Sequence, residues 1–312
     1  MSNKETNIAE ATKKPDTLIL LEKRFAEVDV ILHPIYNTLF YFMYNRTDKD
    51  KHYRLLIEVF ENSFFIKITD LEWHKVSMDN IEEVTKIHSA INKFNRESRA
   101  KVFYKCHDDG YMTLSTIMNI PLFEEIPDFH RYFNIQLETL TDARDYVLSP
   151  EKIDDMPFWD MHISSQPKSN KDIILEALEK LHCVPEVQID EETYCSIVFE
   201  YQEEYFGLCI WPTFLTVKID AISDYVCDFD IDMLSAVRDL TNEMKWNYTV
   251  PFDYEFNNSS YNDKQYIDIR SFIYLPCVEG KCFKELLRET FRHCFNARNK
   301  FRLLWTINYA KW

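Results

Sequence analysis

Tyr111-Met-Thr-Leu-Ser-Thr-Ile-Met-Asn-Ile-Pro121 and Tyr266-Ile-Asp-Ile-Arg-Ser-Phe-Ile-Tyr-Leu-Pro276 are two versions of one pattern, 155 residues apart. Upstream, Ile81, Val84, Ile87, Asn92 and Phe94 correspond to Ile231, Leu234, Val237, Asn242 and Met244 at an offset of 150. Downstream, Ala143-Arg144 corresponds to Ala297-Arg298 at an offset of 154. An ordered drift of a few residues is what duplication followed by changes in loop length would leave. The 312 residues are therefore read as two like domains, each long enough to bury its own core.

The hydrophobic content of 46% and aromatic content of 15% argue against disorder. Glycine occurs only at Gly110, Gly207 and Gly280. A loop that cradles phosphate needs glycine where the backbone approaches the ligand, so the P-loop and the dinucleotide fingerprint are both excluded. The G-x-S-x-G elbow is missing as well. Net charge is −16; residues 1–150 carry 24 acidic and 19 basic side chains, and the remainder 28 and 17. Such a field repels nucleic-acid phosphates and anionic membranes, so neither is an expected partner. The polar start, Met1 to Asp16, lacks the apolar core of a secretory signal. Eight cysteines, seven of them after Leu181, read as reduced, mostly buried thiols of a cytoplasmic protein.

Periodicity predicts a helix from Asp16 to Val28, strands over Thr38–Tyr44, His52–Phe60 and Ser63–Thr69, and a helix over Asp79–Asn95 capped by Asp79. Strands over Ala100–Cys106 and Tyr111–Met118 and a helix over Ile126–Val147 complete the first copy. The second repeats the order: a helix from Asn170 to His182, strands over Thr193–Tyr201, Tyr205–Trp211 and Phe214–Asp220, and a helix over Ile231–Lys245. Strands near Pro251–Phe256 and Tyr266–Tyr274 and a basic helix from Gly280 toward Trp305 follow. The predicted organisation is a polar segment (1–15), a first domain (16–149), a linker (150–169) and a second domain (170–312). Pro150, Pro157 and Pro167 keep the linker from becoming helical, and its Phe158-Trp159 pair is expected to pack against a neighbour. The fold class is α+β: two tandem α-β-β-β-α-β-β-α domains, each an antiparallel sheet packed with helices, forming a pseudo-dimer.

That repeated order, with Ile91-Asn-Lys-Phe-Asn95 closing the central helix, resembles the YbjN-type proteins, which share the fold of type III secretion chaperones. In the second copy the phrase becomes Leu240-Thr-Asn-Glu-Met244, keeping the asparagine and losing the rest. Secretion chaperones of this fold are acidic homodimers that bind an extended client segment. The resemblance implies that a fused tandem forms such a pair within one chain. It carries over no catalytic residue.

Leu55, Ile57, Val59, Phe64, Ile66 and Ile68 fit a sheet face covered by helices, whereas Leu56, Phe60 and Phe65 fall on the opposite face with Arg54, Glu58 and Lys67. A solvated sheet face is normally polar, so these apolar groups predict cover from the sister domain or from a client, and Val198 repeats the pattern. Lys284, Arg288 and Arg292, spaced four apart, form a basic stripe that is either solvated or docks an acidic segment. Asp228-Phe-Asp-Ile-Asp232 imitates the opening of a calcium loop, but Met233 stands where glycine is needed, and helix capping explains the acids. Cys277, Cys282, His293 and Cys294 match structural-zinc spacing only loosely and have no counterpart in the first copy. No metal and no cofactor are expected. The function expected is a non-enzymatic, bacterial-type protein-binding module, possessing a client or regulatory partner and working as a monomeric pseudo-dimer. The alternative is a regulatory or sensory module that binds a small ligand between the two domains.

Overall fold

A computed structural model describes residues 16–149, 160–162, 167–247, 253–258 and 265–309. The polar start, the prolines at 150 and 157, and Phe158-Trp159 lie outside the described residues. The first half runs α1 (Asp16–Ala26), β1 (His33–Tyr36), β2 (Leu39–Arg46), β3 (Lys51–Val59), β4 (Phe65–Ser77), α2 (Ile81–Glu97), β5 (Lys101–Cys106), β6 (Tyr111–Pro121) and α3 (Phe129–Leu148). The second runs α4 (Asn170–Lys180), β7 (Glu186–Asp190), β8 (Cys195–Tyr201), β9 (Glu204–Ile210), β10 (Thr216–Asp228), α5 (Ile231–Asn247), β11 (Asp253–Asn258), β12 (Gln265–Pro276) and α6 (Cys282–Asn308). The chain is α+β, with two six-stranded antiparallel sheets.

Each half holds one strand more than the sequence predicts, so its order is α-β-β-β-β-α-β-β-α. The extra strands, β1 and β7, are four and five residues long, and every residue in them is exposed. A strand exposed on both faces leaves no alternation to read. Helix starts also shift. Asn80, not Asp79, caps α2 by accepting from the Glu83 amide, and Ser169, not Asn170, caps α4 through the Asp172 amide. Asn170 is instead buried and donates to the Phe214 carbonyl at 2.8 Å. Pro127 precedes the cap of α3, Asp128, whose side chain accepts from the Arg131 amide.

The sheets follow the orders β1-β2-β3-β4-β6-β5 and β7-β8-β9-β10-β12-β11, which are one permutation. Both long strands slip register at matching points: β4 between Asp70 and His74 against β6, and β10 between Ala221 and Asp224 against β12. A bulge of this kind bends the strand and raises its twist. On β3, Tyr53, Leu55, Ile57 and Val59 point into the core, and Ile57 and Val59 pair with Ile68 and Ile66. Ile87, Ala90, Ile91 and Phe94 form the buried stripe of α2. A single buried cluster runs from Leu18 to Cys294 through both halves. A second one joins Val237 and Leu240 of α5 to Ile267 of β12 and Phe301 of α6.

Candidate functional site: a seam and a cleft between the halves

The central helices cross over: α2 packs on β5 and also on β11, and α5 packs on β11 and also on β5. His88 and Arg238, separated by the offset that relates the two helices, meet at 3.5 Å. Beside them Asn242 clasps the main chain of β5, accepting from the Tyr104 amide at 2.9 Å and donating to its carbonyl at 2.8 Å. An edge strand's free backbone groups are thus satisfied by one side chain of the other half. The Tyr104 hydroxyl donates to Asp239 at 2.7 Å.

The seam also contains charge. Lys101 of β5 and Lys245 of α5 both reach the Asp253 carboxylate of β11, at 3.0 and 2.9 Å, and all three side chains are 5% exposed or less. Lys101 also donates to the Asn95 carbonyl, and its ammonium lies 3.9 Å from the centre of the Phe272 ring. Burial pushes Lys101 down to about 8, outweighing the pull of Asp253. For Asp253 burial acts upward, but the two lysines prevail and hold its carboxyl below the usual range.

Leu56, Phe60 and Phe65, which the sequence assigns to one open face, differ in burial. Phe65 is 0% exposed, with its ring edge-on to His293 of α6 at 5.8 Å; the second half covers it, so it has no surface to give to a client. Leu56 and Phe60 are half-buried, and Lys67 sits over the Phe60 ring at 5.4 Å. Val198 is half-buried between Glu186 and Gly207 in the sheet. Glu289 of α6, which periodicity does not single out, anchors this contact. It accepts from the Ser63 hydroxyl at 2.6 Å, the Phe64 amide at 3.0 Å and His293 at 3.2 Å. Burial alone would push Glu289 up; the hydrogen bonds from His293, Ser63 and Phe64 outweigh it and hold the carboxyl down.

Next to this anchor opens a cleft of about 590 Å³. Asn62 and Phe64 of the β3–β4 turn form one wall, Tyr201 and Gln202 of the β8–β9 turn another, and α6 lays Glu285, Arg288, Arg292, Phe295 and Asn299 along its floor. Two members of the predicted basic stripe thus meet here. Arg288 pairs with Glu285, and Arg292 stands 4.0 Å from Glu289. Lys284 lines a separate groove of about 260 Å³ with Lys168, Glu176 and Lys180 of the α4 region. The stripe does not act as one surface.

Asp230 accepts from the Asp232 and Met233 amides at 2.8 and 3.3 Å, which accounts for the calcium-like run as a cap of α5. Cys277 and Cys294 are buried; burial drives the Cys277 thiol far above its ordinary range and the Cys294 thiol up to about 12. Cys282 is pushed up to about 11 by burial and by Glu125. Among the described residues no group of three or more histidine, cysteine or acidic side chains is placed to hold a metal, and no helix is long and apolar enough to cross a membrane. No family model matches the chain, and no curated protein or solved structure matches it.

Proposed function

We propose that this chain is a non-enzymatic protein-binding module, chaperone-like in holding an extended segment of a client in the cleft against α6. The observation that carries the reading is that both halves wall this cleft, so its shape depends on their docking. Its walls and floor join aromatic surface (Phe64, Tyr201, Phe295) to two arginines in a protein of net charge −16. A segment placing an acidic side chain between apolar ones fits that cleft: rings exclude water, and the carboxylate shares the guanidinium groups with Glu285 and Glu289. On this reading the halves are a tandem duplication of a YbjN-type, secretion-chaperone-like domain, and the pair forms within one chain as a pseudo-dimer. The matching strand orders, the matching bulges and the meeting of His88 with Arg238 support it. A cytoplasmic setting, without nucleic acid or membrane, suits the charge.

The cleft volume also lies in the range of small-molecule pockets, which favours the second reading, a regulatory module with a ligand between the halves. Affinity capture from a native lysate, comparing wild type with the Arg288→Glu, Arg292→Glu double variant, separates them. Protein clients should be captured by the wild type and lost from the variant. Identical sets of captured proteins would sink the client reading, and a cleft-dependent thermal shift with metabolite fractions alone would establish the ligand reading.

A further inference from the structure

β1 and β7 occupy the same place at the outer edge of their sheets, but only β1 carries a proline. β1 reads His33-Pro-Ile-Tyr36; Pro34 has no amide proton to donate, and the strand slips register between Pro34 and Tyr36. Proline on an edge strand hinders the addition of another strand. β7 reads Glu186-Val-Gln-Ile-Asp190, without proline and with every residue exposed. One flank pairs with β8, with a register shift between Val187 and Ile189. Among the described residues no strand pairs with the other flank. Val187 and Ile189 are 40% and 42% exposed. Glu186, Asp190, Glu191 and Glu192 stand exposed around them, and Lys171 offsets Asp190 at 2.6 Å. Like charges facing each other across a strand pair are destabilising, so this edge repels a second copy of itself and attracts a basic strand.

We propose that β7 is a docking edge for an extended basic segment of a partner protein, in which lysine or arginine alternates with aliphatic residues. The segment adds to the second sheet beside β7. Main-chain hydrogen bonds hold it, Val187, paired with Ile197 and so on that face of the sheet, meets its aliphatic side chains, and the acids select its charge. This surface shares no residue with the α6 cleft and stands or falls separately from it.

The test uses the full chain and a fluorescein-labelled Lys-Val-Lys-Val-Lys-Val peptide, beside the same peptide N-methylated at every residue, which leaves neither edge an amide proton to donate. The two carry equal charge and differ in their capacity to pair as strands. Anisotropy should give the parent peptide an affinity about tenfold or more above the methylated one. Hydrogen exchange should slow at residues 186–190, and the Arg288→Glu, Arg292→Glu variant should bind equally well. Val187→Pro, which gives β7 the block of β1, should reduce binding to the methylated level; if that variant misfolds, the two peptides on wild type decide alone. Equal affinity for both peptides, protection confined to other residues, or no binding up to about 1 mM overturns the proposal.

Discussion

Asp253→Asn removes a carboxylate that serves two buried ammonium groups, Lys101 and Lys245, at the seam between the halves. Breaking a buried pair by deleting one partner costs about 3–5 kcal/mol, because the charge left behind keeps its desolvation penalty. The Phe272 ring and the Asn95 carbonyl still face the Lys101 ammonium, so the lower end, about 3 kcal/mol, is expected. The loss should also depend on pH. Lys101 has a native value near 8 against an ordinary 10.5, so the unfolded chain holds its proton longer. Stability contributed by this group therefore rises with pH between about 8 and 10.5, by about 3 kcal/mol if no other group compensates. In Asp253→Asn the penalty should shrink as pH passes 8, because a neutral Lys101 no longer needs a counter-charge. Equilibrium urea unfolding of both proteins at pH 7 and pH 9.5 measures it. A loss below about 1 kcal/mol at pH 7, or one that does not change with pH, would refute the buried ion cluster as the lock of the seam.

His88 is pushed down to about 4 by burial and by Arg238, below its ordinary 6.5, so the unfolded state protonates first and stability falls as pH drops through that window. Discounted for partial exposure, the loss is about 1–2 kcal/mol; thermal melts at pH 7 and 4.5 should show it in the wild type and not in His88→Gln. Asn242→Ala strands the Tyr104 amide and carbonyl and should cost about 1–3 kcal/mol, with faster hydrogen exchange on β5. Arg144 grips the buried Asp70 through two bonds of 2.6 Å; Arg144→Ala should cost about 3 kcal/mol in denaturant and Asp70→Asn less, since the amide is neutral. Phe65→Asp places a charge under α6 and should unfold or undock the halves, a defect visible in stability without any client.

Helices α2, α3, α5 and α6 and strand β3 were legible because each buries one face, and burial imprints a period of 3.6 or 2 on the chain. The alternation of Leu55, Ile57 and Val59 is such an imprint, and the structure turns all three inward. β1 and β7 escaped notice because every residue in them is exposed, so no alternation marks a buried face. The candidate site was legible only in fragments: the spacing of Arg288 and Arg292 gave their common helix face, but nothing in that spacing announced the turns of 62–64 and 201–202 that wall it. Lys101, Lys245 and Asp253 look like ordinary surface charges in sequence, since no local pattern records which residues meet after some 150 intervening positions.

By itself, then, the sequence determined the helices, the covered strands and the inward face of strands such as β3, because these follow from interactions among near neighbours in the chain. The tertiary structure alone decided that Phe65 is sealed beneath α6, that one carboxylate meets two lysines at the seam, and that among the described residues no strand pairs with the outer flank of β7. Those outcomes depend on which surfaces lose water together when the halves dock, a property of pairs distant in sequence that local periodicity does not encode.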